Sequence, residues 1–314
     1  MEEIRTLTRE EMPACEALLD FAFQRAEFDG EPLVAAEPEH VWGCFIGGEL
    51  ASTVIVLPHE AFVHGAVHRL GLVAGVATWP EYRKGGNIAR LLARALRAMN
   101  DAGTTLSYLV PFSYAFYRKY GWELTHEFRQ YVLPAEHVPA WSGSGRVRRL
   151  KTPDVGLLNA LYERYAAAFN GMLKRSGDHW RRTVLRRKPG QIVVYENGAG
   201  EAAGYMIYED NRNEFRVHEF VHLDRDAEMG LWEHIRRHEG MYARVLWTAP
   251  ADDPFPYLLE NPKRLEIRLQ PHLMARIVNV GAFLRGFRFL PAKEGRTLTV
   301  AVSDPHAAWN EGTY

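Results

Sequence analysis

Between Leu70 and Met99 the sequence passes from an apolar run, through a proline and a basic glycine-bearing loop, into a helical stripe. The run Leu70–Thr78 reads as a strand, and Pro80 cannot extend it within a sheet because it has no N–H for the ladder. From Ile88 the apolar positions are Ile88, Leu91, Leu92, Ala95, Leu96 and Met99, a spacing that winds onto one face of a helix. Arg90, Arg94 and Arg97 lie off that face. A strand turned sharply into an amphipathic helix places this region in a mixed α/β layer.

The flanks agree. Ile4–Leu7 reads as a short strand and Glu10–Gln24 as a helix, with Thr8 as N-cap and Glu11 at capping-box spacing. Val41–Ile46, Leu50–Leu57 and Ala61–His68 are β-like, and Gly47-Gly48 is a hairpin turn between the first two. Leu106–Val110 reads as a buried strand, Tyr114–Tyr120 as a short helix stopped by Gly121, and Glu123–Leu133 as a closing strand. The linker Trp141-Ser142-Gly143-Ser144-Gly145 follows. Beyond it, Leu157–Phe169 and Asp178–Arg186 read as helices. Gln191–Tyr195, Ala202–Tyr208 and Glu214–Leu223 read as strands, before a helix at Met229–Met241 and a strand at Arg244–Ala249. The order of elements is similar in the two halves without a residue-level repeat, the mark of a duplicated fold. Ile267–Leu269, Leu273–Arg285 and Thr297–Val302 begin a third unit, too short to hold a core unaided.

Composition excludes several classes. With 314 residues the prior is two domains, and 47% apolar residues can supply two cores. A net charge of −1 argues against a nucleic-acid protein with a dominating basic surface. Cys15 and Cys44 cannot make a disulfide framework, which points to a reducing compartment. Met1-Glu2-Glu3-Ile4-Arg5 lacks the basic and apolar regions of a signal peptide, and no apolar run approaches a bilayer span. The expectation is a soluble cytoplasmic protein with neither nucleic acid nor membrane as partner.

The segment that carries chemistry is Val76-Ala77-Thr78-Trp79-Pro80-Glu81-Tyr82-Arg83-Lys84-Gly85-Gly86-Asn87-Ile88. Free N–H groups at a helix start, with the positive end of the helix dipole behind them, make an anion seat. Glycines allow close approach of the main chain, and Arg83 and Lys84 add charge. The loop lacks both the Gly-x-x-x-x-Gly-Lys-Ser/Thr of a nucleotide P-loop and the Gly-x-Gly-x-x-Gly of a dinucleotide site. Arg-x-x-Gly at Arg83–Gly86, after a strand ending in proline, resembles the acetyl-coenzyme A signature of the GNAT superfamily of N-acetyltransferases.

A second segment, Pro111-Phe112-Ser113-Tyr114-Ala115-Phe116-Tyr117-Arg118-Lys119-Tyr120-Gly121-Trp122, resembles the GNAT helix that follows the fifth strand. In that family the fifth strand splays from its neighbour to admit the pantetheine arm, and the tyrosine matching Tyr117 lies near the thioester sulfur. The tandem layout narrows the resemblance to enhanced intracellular survival (Eis)-type acetyltransferases, with two GNAT-like domains and a sterol-carrier-like domain. Trp247–Leu259, Leu269-Gln270 and Ala275–Val280 are similar to Eis-type segments, and Ile88 stands where many GNAT loops have Gly or Ala.

The resemblance implies an α/β (α+β) architecture. Residues 1–140 form a catalytic GNAT domain, 146–265 a degenerate GNAT-like domain, and 266–314 a partial sterol-carrier-like segment. The second domain has Asp224-Arg225-Asp226-Ala227-Glu228 where a cofactor loop belongs, which would repel a diphosphate. The implied reaction is N-acetylation by acetyl-CoA of an amine on a polyamine-like or aminoglycoside-like molecule, or on a lysine side chain, within a homo-oligomer. The implied cofactor contacts are Val76, Ala77 and Thr78 for pantetheine. Arg83, Lys84, Gly85, Gly86, Asn87, Ile88 and Ala89 serve the diphosphate, with Phe112 and Ser113 alongside and Tyr117 as general acid. No base or acceptor is assignable, nor is the catalytic chain-terminal carboxylate of characterised relatives carried over to Tyr314.

Rival readings are weaker. His218 and His222 share a strand face and His234 and His238 a helix face, a potential metal set, but Arg236 and Arg237 interrupt the helical pair and no metal is expected. Cys15 and Cys44 have no nucleophile setting and read as core residues. The runs Arg146, Arg148, Arg149, Lys151 and Arg181, Arg182, Arg186, Arg187, Lys188 read as solvated or interface faces. They leave open a non-catalytic scaffold that binds coenzyme A or an acidic partner, for which Tyr117 has no use.

Overall fold

The computed structural model describes residues 2–24, 34, 36–211, 213–290 and 297–314. By contacts the chain divides into two units. The first comprises Met1–Ala61, Ala66–Thr125 and Leu273–Tyr314, and the second Phe62–Gly65 and His126–His272.

In the first unit β1 (Glu2–Thr6), β2 (Val41–Ile46), β3 (Glu49–Val63), β4 (Ala66–Thr78) and β5 (Leu106–Leu109) lie side by side in that order. Helix α1 (Met12–Ala22) follows β1, and α2 (Asn87–Asp101) connects β4 to β5. The short helix α3 (Tyr114–Arg118) follows β5. β4 and β5 are parallel, whereas β1 with β2 and β2 with β3 are antiparallel. Next to β5, antiparallel to it, lies the end of a late strand: Met274↔Leu109 through Ile277↔Leu106.

The predicted stripe is the buried face of α2: Leu91, Leu92, Ala95, Leu96 and Met99 pack on Cys44, Val54, Val73 and Leu109. On the opposite sheet face Cys15, Leu18 and Leu19 of α1 pack on Val41, Phe45 and Ile55. Both cysteines are buried, as core residues are. Glu11 accepts the Thr8 N–H at 2.8 Å, so the capping box forms, but around a turn of 3-10 helix at Arg9–Glu11 rather than the first turn of α1.

Two elements differ from the sequence reading. Leu50–Leu57 and Ala61–His68 are not separate strands: β3 runs unbroken to Val63 and the chain reverses at His64-Gly65, both with left-handed φ. The turn lies inside an apolar run, where alternation gives no sign of it. Residues 273–277 join the first sheet, a non-local pairing that composition cannot signal.

The second unit holds β6 (Glu123–Pro134, from His126), β7 (Arg146–Leu150), β8 (Leu173–Lys174), β9 (Gln191–Glu196), β10 (Ala202–Asp210), β11 (Glu214–His222) and β12 (Arg244–Pro250). Its sheet order is β7-β9-β10-β11-β12-β6, with only β11 and β12 parallel among the described pairings. Helix α4 (Val155–Ala166) precedes a helical run predicted over Asp178–Arg186. It is built from α5 (Gly177–His179), a π-helical turn at Trp180–Val184 and α6 (Leu185–Arg187). Helix α7 (Arg225–Arg236) connects β11 to β12, and α8 (Phe255–Leu258) follows. The order repeats that of the first unit, β7 standing for β1 and α7 for α2. The duplicated order read from the sequence is therefore a duplicated architecture. β13 (Glu266–Ile277), α9 (Val280–Gly286), β14 (Ala301–Val302) and β15 (Gly312–Thr313) complete the chain.

Candidate active site

The site begins where β4 and β5 part. They pair through Leu70↔Leu106 to Val73↔Leu109 and no further, although β4 runs on to Thr78. Beyond Leu109 the chain turns away as Val110, Pro111 and Phe112, and Val110 and Phe112 are exposed. Two residues past the last pair, Gly75 has φ +54°, a left-handed value inside a strand. A side chain there would meet Ile55 Cδ1 at 2.6 Å, so both the twist and the space call for glycine. Thr53 Oγ1 donates to the Gly75 carbonyl at 3.0 Å and fixes the kink.

The kink leaves Val76, Ala77 and Thr78 on a strand end that β5 no longer covers. Val76 packs towards the α2 core and Ala77 towards the α1 core, as alternation requires. The Thr78 hydroxyl is buried without a hydrogen-bond partner, an orphan that a bound group can satisfy.

The loop that follows presents its main chain. Lys84 has φ +67° and Gly86 φ +76°, so the backbone reverses twice before α2 starts at Asn87. Among the described residues no N–H from Lys84 to Ala89 reaches a protein acceptor; Arg90 N–H is the next to find one, Gly86 O at 3.2 Å. Those donors converge at the positive end of a fifteen-residue helix. Arg83, Lys84, Gly85 and Gly86 are exposed, and Arg83 Nε donates to Thr78 O at 3.5 Å.

Asn87 has a role that sequence reasoning missed. Its buried side chain donates to Ser52 Oγ at 3.0 Å and to Tyr82 O at 3.4 Å, tying the loop to β3. Arg90 donates to Gly85 O at 3.0 Å and to Asn87 Oδ1 at 2.9 Å, closing the loop from the helix side. Neither contact has a sequence signal, because both partners are distant in the chain or identified only by the loop's path.

Tyr117 lies on α3, whose N-cap Ser113 accepts the Phe116 N–H at 3.3 Å. The Tyr117 ring is buried in the core cluster that contains Val73, Leu92 and Leu109, edge-on to Phe112 at 5.3 Å and Phe116 at 5.2 Å. Its hydroxyl forms no hydrogen bond among the described residues, and burial raises its pKa well above the ordinary tyrosine value. The group is therefore protonated at neutral pH.

Residues 3–125 match a family model described as an acetyltransferase (GNAT) domain, and residues 171–277 match a second model of the same description. The chain is a tandem GNAT N-acetyltransferase. An uncharacterised N-acetyltransferase of Streptomyces avermitilis is 24% identical over 295 residues, covering 86% of this chain and 70% of the relative. One from Streptomyces griseus is 25% identical over 293 residues, covering 83% and 70%. Among solved structures, a probable N-acyltransferase of Enterococcus faecalis superposes with TM-score 0.89 at 27% identity, covering 100% of this chain and 81% of that one. Eis1 of Mycobacterium abscessus, at TM-score 0.83 and 20% identity over 100% of this chain and 82% of that one, shares the fold.

As a GNAT N-acetyltransferase the protein uses acetyl-CoA as acetyl donor. Its own residues fit that donor: unpaired loop amides suit a diphosphate, and the β4–β5 gap with the orphan Thr78 hydroxyl suits an extended polar arm.

The residues of the rival readings have other partners. His218 contacts Glu209 at 2.9 Å, and His222 stands against Tyr165 and Phe220. His234 and His238 both face the Tyr208 hydroxyl, at 3.1 and 3.5 Å. Among the described residues no three metal-ligating side chains come together. Arg146 and Arg148 pair with Glu196 at 2.9 and 2.8 Å, and Arg181 with Asp178 at 2.8 Å. No described helix is long and apolar enough to cross a membrane.

Proposed function

We propose that the first GNAT domain, residues 1–140, transfers the acetyl group of acetyl-CoA to a primary amine by direct attack, with Tyr117 as general acid. The acceptor is a polyamine-like or aminoglycoside-like molecule or a lysine side chain. The observation that carries this reading is the run of unpaired N–H groups from Lys84 to Ala89 beside the opening between β4 and β5. Loop amides of Lys84, Gly85, Gly86, Asn87, Ile88 and Ala89, with Arg83 adjacent, hold the diphosphate. Main-chain groups of Val76, Ala77 and Thr78 hold the arm and polarise the acetyl carbonyl, and Phe112 and Ser113 line the other wall.

Acetyl-CoA supplies an activated thioester. The acceptor nitrogen, neutral after losing a proton to solvent, forms the new C–N bond as the C–S bond breaks, and then releases its second proton to solvent to leave the amide. The Tyr117 hydroxyl gives its proton to the departing sulfur and is restored from solvent. Burial keeps the Tyr117 hydroxyl in its protonated form at neutral pH, the form from which a proton can be given.

Residues 146–265 form a second GNAT-like domain without a cofactor role, and residues 266–314 resemble the beginning of a sterol-carrier-like region. Homo-oligomeric assembly and a cytoplasmic site belong to the same reading. Release of coenzyme A thiol across a panel of polyamines, aminoglycosides and lysine peptides tests the activity: amine-dependent release supports it, and none with any amine contradicts it.

A further inference from the structure

In the second unit β11 and β12 repeat the divergence of β4 and β5. They pair in parallel through Glu214↔Arg244, Phe215↔Val245 and Arg216↔Leu246, and then β11 continues to His222 and β12 to Pro250. The helix start that would seat a diphosphate is already engaged. Asp224 accepts the Ala227 N–H at 2.8 Å, and Asp226 takes the Ser144 N–H at 2.8 Å and the Tyr195 hydroxyl at 2.5 Å. Carboxylates in this position repel an anion.

The gap between the strands is filled from below by aromatic rings. Trp232 stacks on Phe255 at 4.7 Å, and Trp247 meets Trp232 edge-on at 4.9 Å and Phe255 at 5.0 Å. A pit of about 30 Å³ remains above them, with Tyr165, His222 and Asp253 at its sides. A water needs roughly 10–15 Å³ by this measure, so the pit takes the tip of a ligand and no pantetheine arm.

The chemistry of the pit is that of a cation site. Among the described residues no cation pairs with the Asp253 carboxylate: Arg129 directs its guanidinium to the Asp253 main-chain carbonyl, at 2.8 Å. Burial raises the Asp253 pKa; a hydrogen bond from Tyr131 opposes it, Glu228 adds to it, and the Phe255 N–H and His222 oppose it further. Glu228, also on the lining, is held by Arg225 at 2.7 Å. Indole and phenyl rings around a carboxylate that forms no ion pair among the described residues attract a small cation through both ring quadrupole and charge.

We propose that the cofactor gap of the second GNAT domain has become a binding pit for the ammonium tip of an aliphatic primary amine, with Asp253 as its counter-ion. The site stands on the geometry of this unit alone. That its ligand shares the chemistry of the acetyl acceptor rests on the transferase reading above.

The test uses the full chain without acetyl-CoA, so an inactive transferase would leave it interpretable. Butylammonium is titrated while the indole N–H signals of Trp232 and Trp247 are followed by NMR, with neutral butanol as the isosteric control. The expected result is saturable movement of both signals with butylammonium and none with butanol at the same concentration. Asp253→Asn, which keeps the shape, should weaken binding by about tenfold or more. Equal response to butanol, no response to butylammonium, or unchanged affinity in a folded Asp253→Asn variant would each overturn the proposal. If the variant does not fold, the charged-against-neutral comparison in the wild type decides alone.

Discussion

The guanidinium of Arg276 lies over the ring of Trp122, 5.5 Å from its centroid, and donates to the carbonyl of Tyr120. Asp304 grips the same guanidinium with both carboxylate oxygens at 2.7 Å. Arg276 is 5% exposed, and a side chain at Gly121 would collide with it. The turn that ends α3, three residues beyond Tyr117, is thus clamped by residues more than 150 positions later. Asp304→Asn leaves this buried cation without its counter-charge and should cost about 3 kcal/mol. Urea denaturation reads this directly, and a loss below about 0.5 kcal/mol would mean that the clamp contributes nothing measurable.

Tyr117→Phe keeps the ring and its edge contacts but removes the only proton donor assigned to the leaving sulfur. Turnover should fall by about 100-fold or more, the scale of general acid catalysis, with the coenzyme A dissociation constant unchanged. Steady-state kinetics and calorimetric titration separate the two. Wild-type turnover in this variant would remove the acid role from Tyr117.

Gly86→Glu forces a side chain onto a residue with φ +76° and puts a carboxylate at the mouth of the proposed diphosphate seat. The backbone strain alone costs roughly 1–2 kcal/mol, and like charge adds to it. Coenzyme A affinity should drop by about tenfold or more. Binding as tight as wild type would contradict the loop assignment.

Glu219 in the second unit is buried, yet Arg175 and Lys188 hold it ionised. Burial opposes the charge, but the attraction of Arg175, then that of Lys188, and their hydrogen bonds outweigh it and bring the carboxyl down to about 2. A carboxyl whose pKa is depressed by folding stabilises fully above its unfolded value, near 4.3, and loses that contribution as pH falls towards the folded value. Thermal melts should therefore weaken between about pH 4.5 and pH 2. Glu219→Gln should lower stability near neutrality by about 3 kcal/mol and flatten that acid dependence. A variant with the wild-type acid profile would show that another group sets it.

The sequence made the strand, loop and helix around Arg83–Gly86 legible because their signals are local: periodicity for α2, a proline for the strand end, glycines for the loop. The acidic stretch Asp224–Glu228 is equally legible as a sequence, although α7 starts within it, at Arg225, and not at the expected Met229. What stayed hidden depends on non-local partners. Asn87 looked like one more loop amide until β3 brought Ser52 within 3.0 Å. The His64-Gly65 turn was masked by apolar residues on both sides. The pairing of Met274–Ile277 with β5 and the clamp of Arg276 follow from strand exchange across the chain, which no window of sequence contains. Asp253 carries no signal of its own in the sequence, and only the aromatic residues that line the pit with it mark the site.

The central claim is that main-chain donors of one loop hold the diphosphate of acetyl-CoA, and a crystal structure of the protein soaked with coenzyme A tests it most directly. The account predicts diphosphate oxygens within hydrogen-bond distance of the N–H groups between Lys84 and Ala89, with the pantetheine arm running between β4 and β5. Diphosphate density at any other surface, with that loop left free, would contradict it.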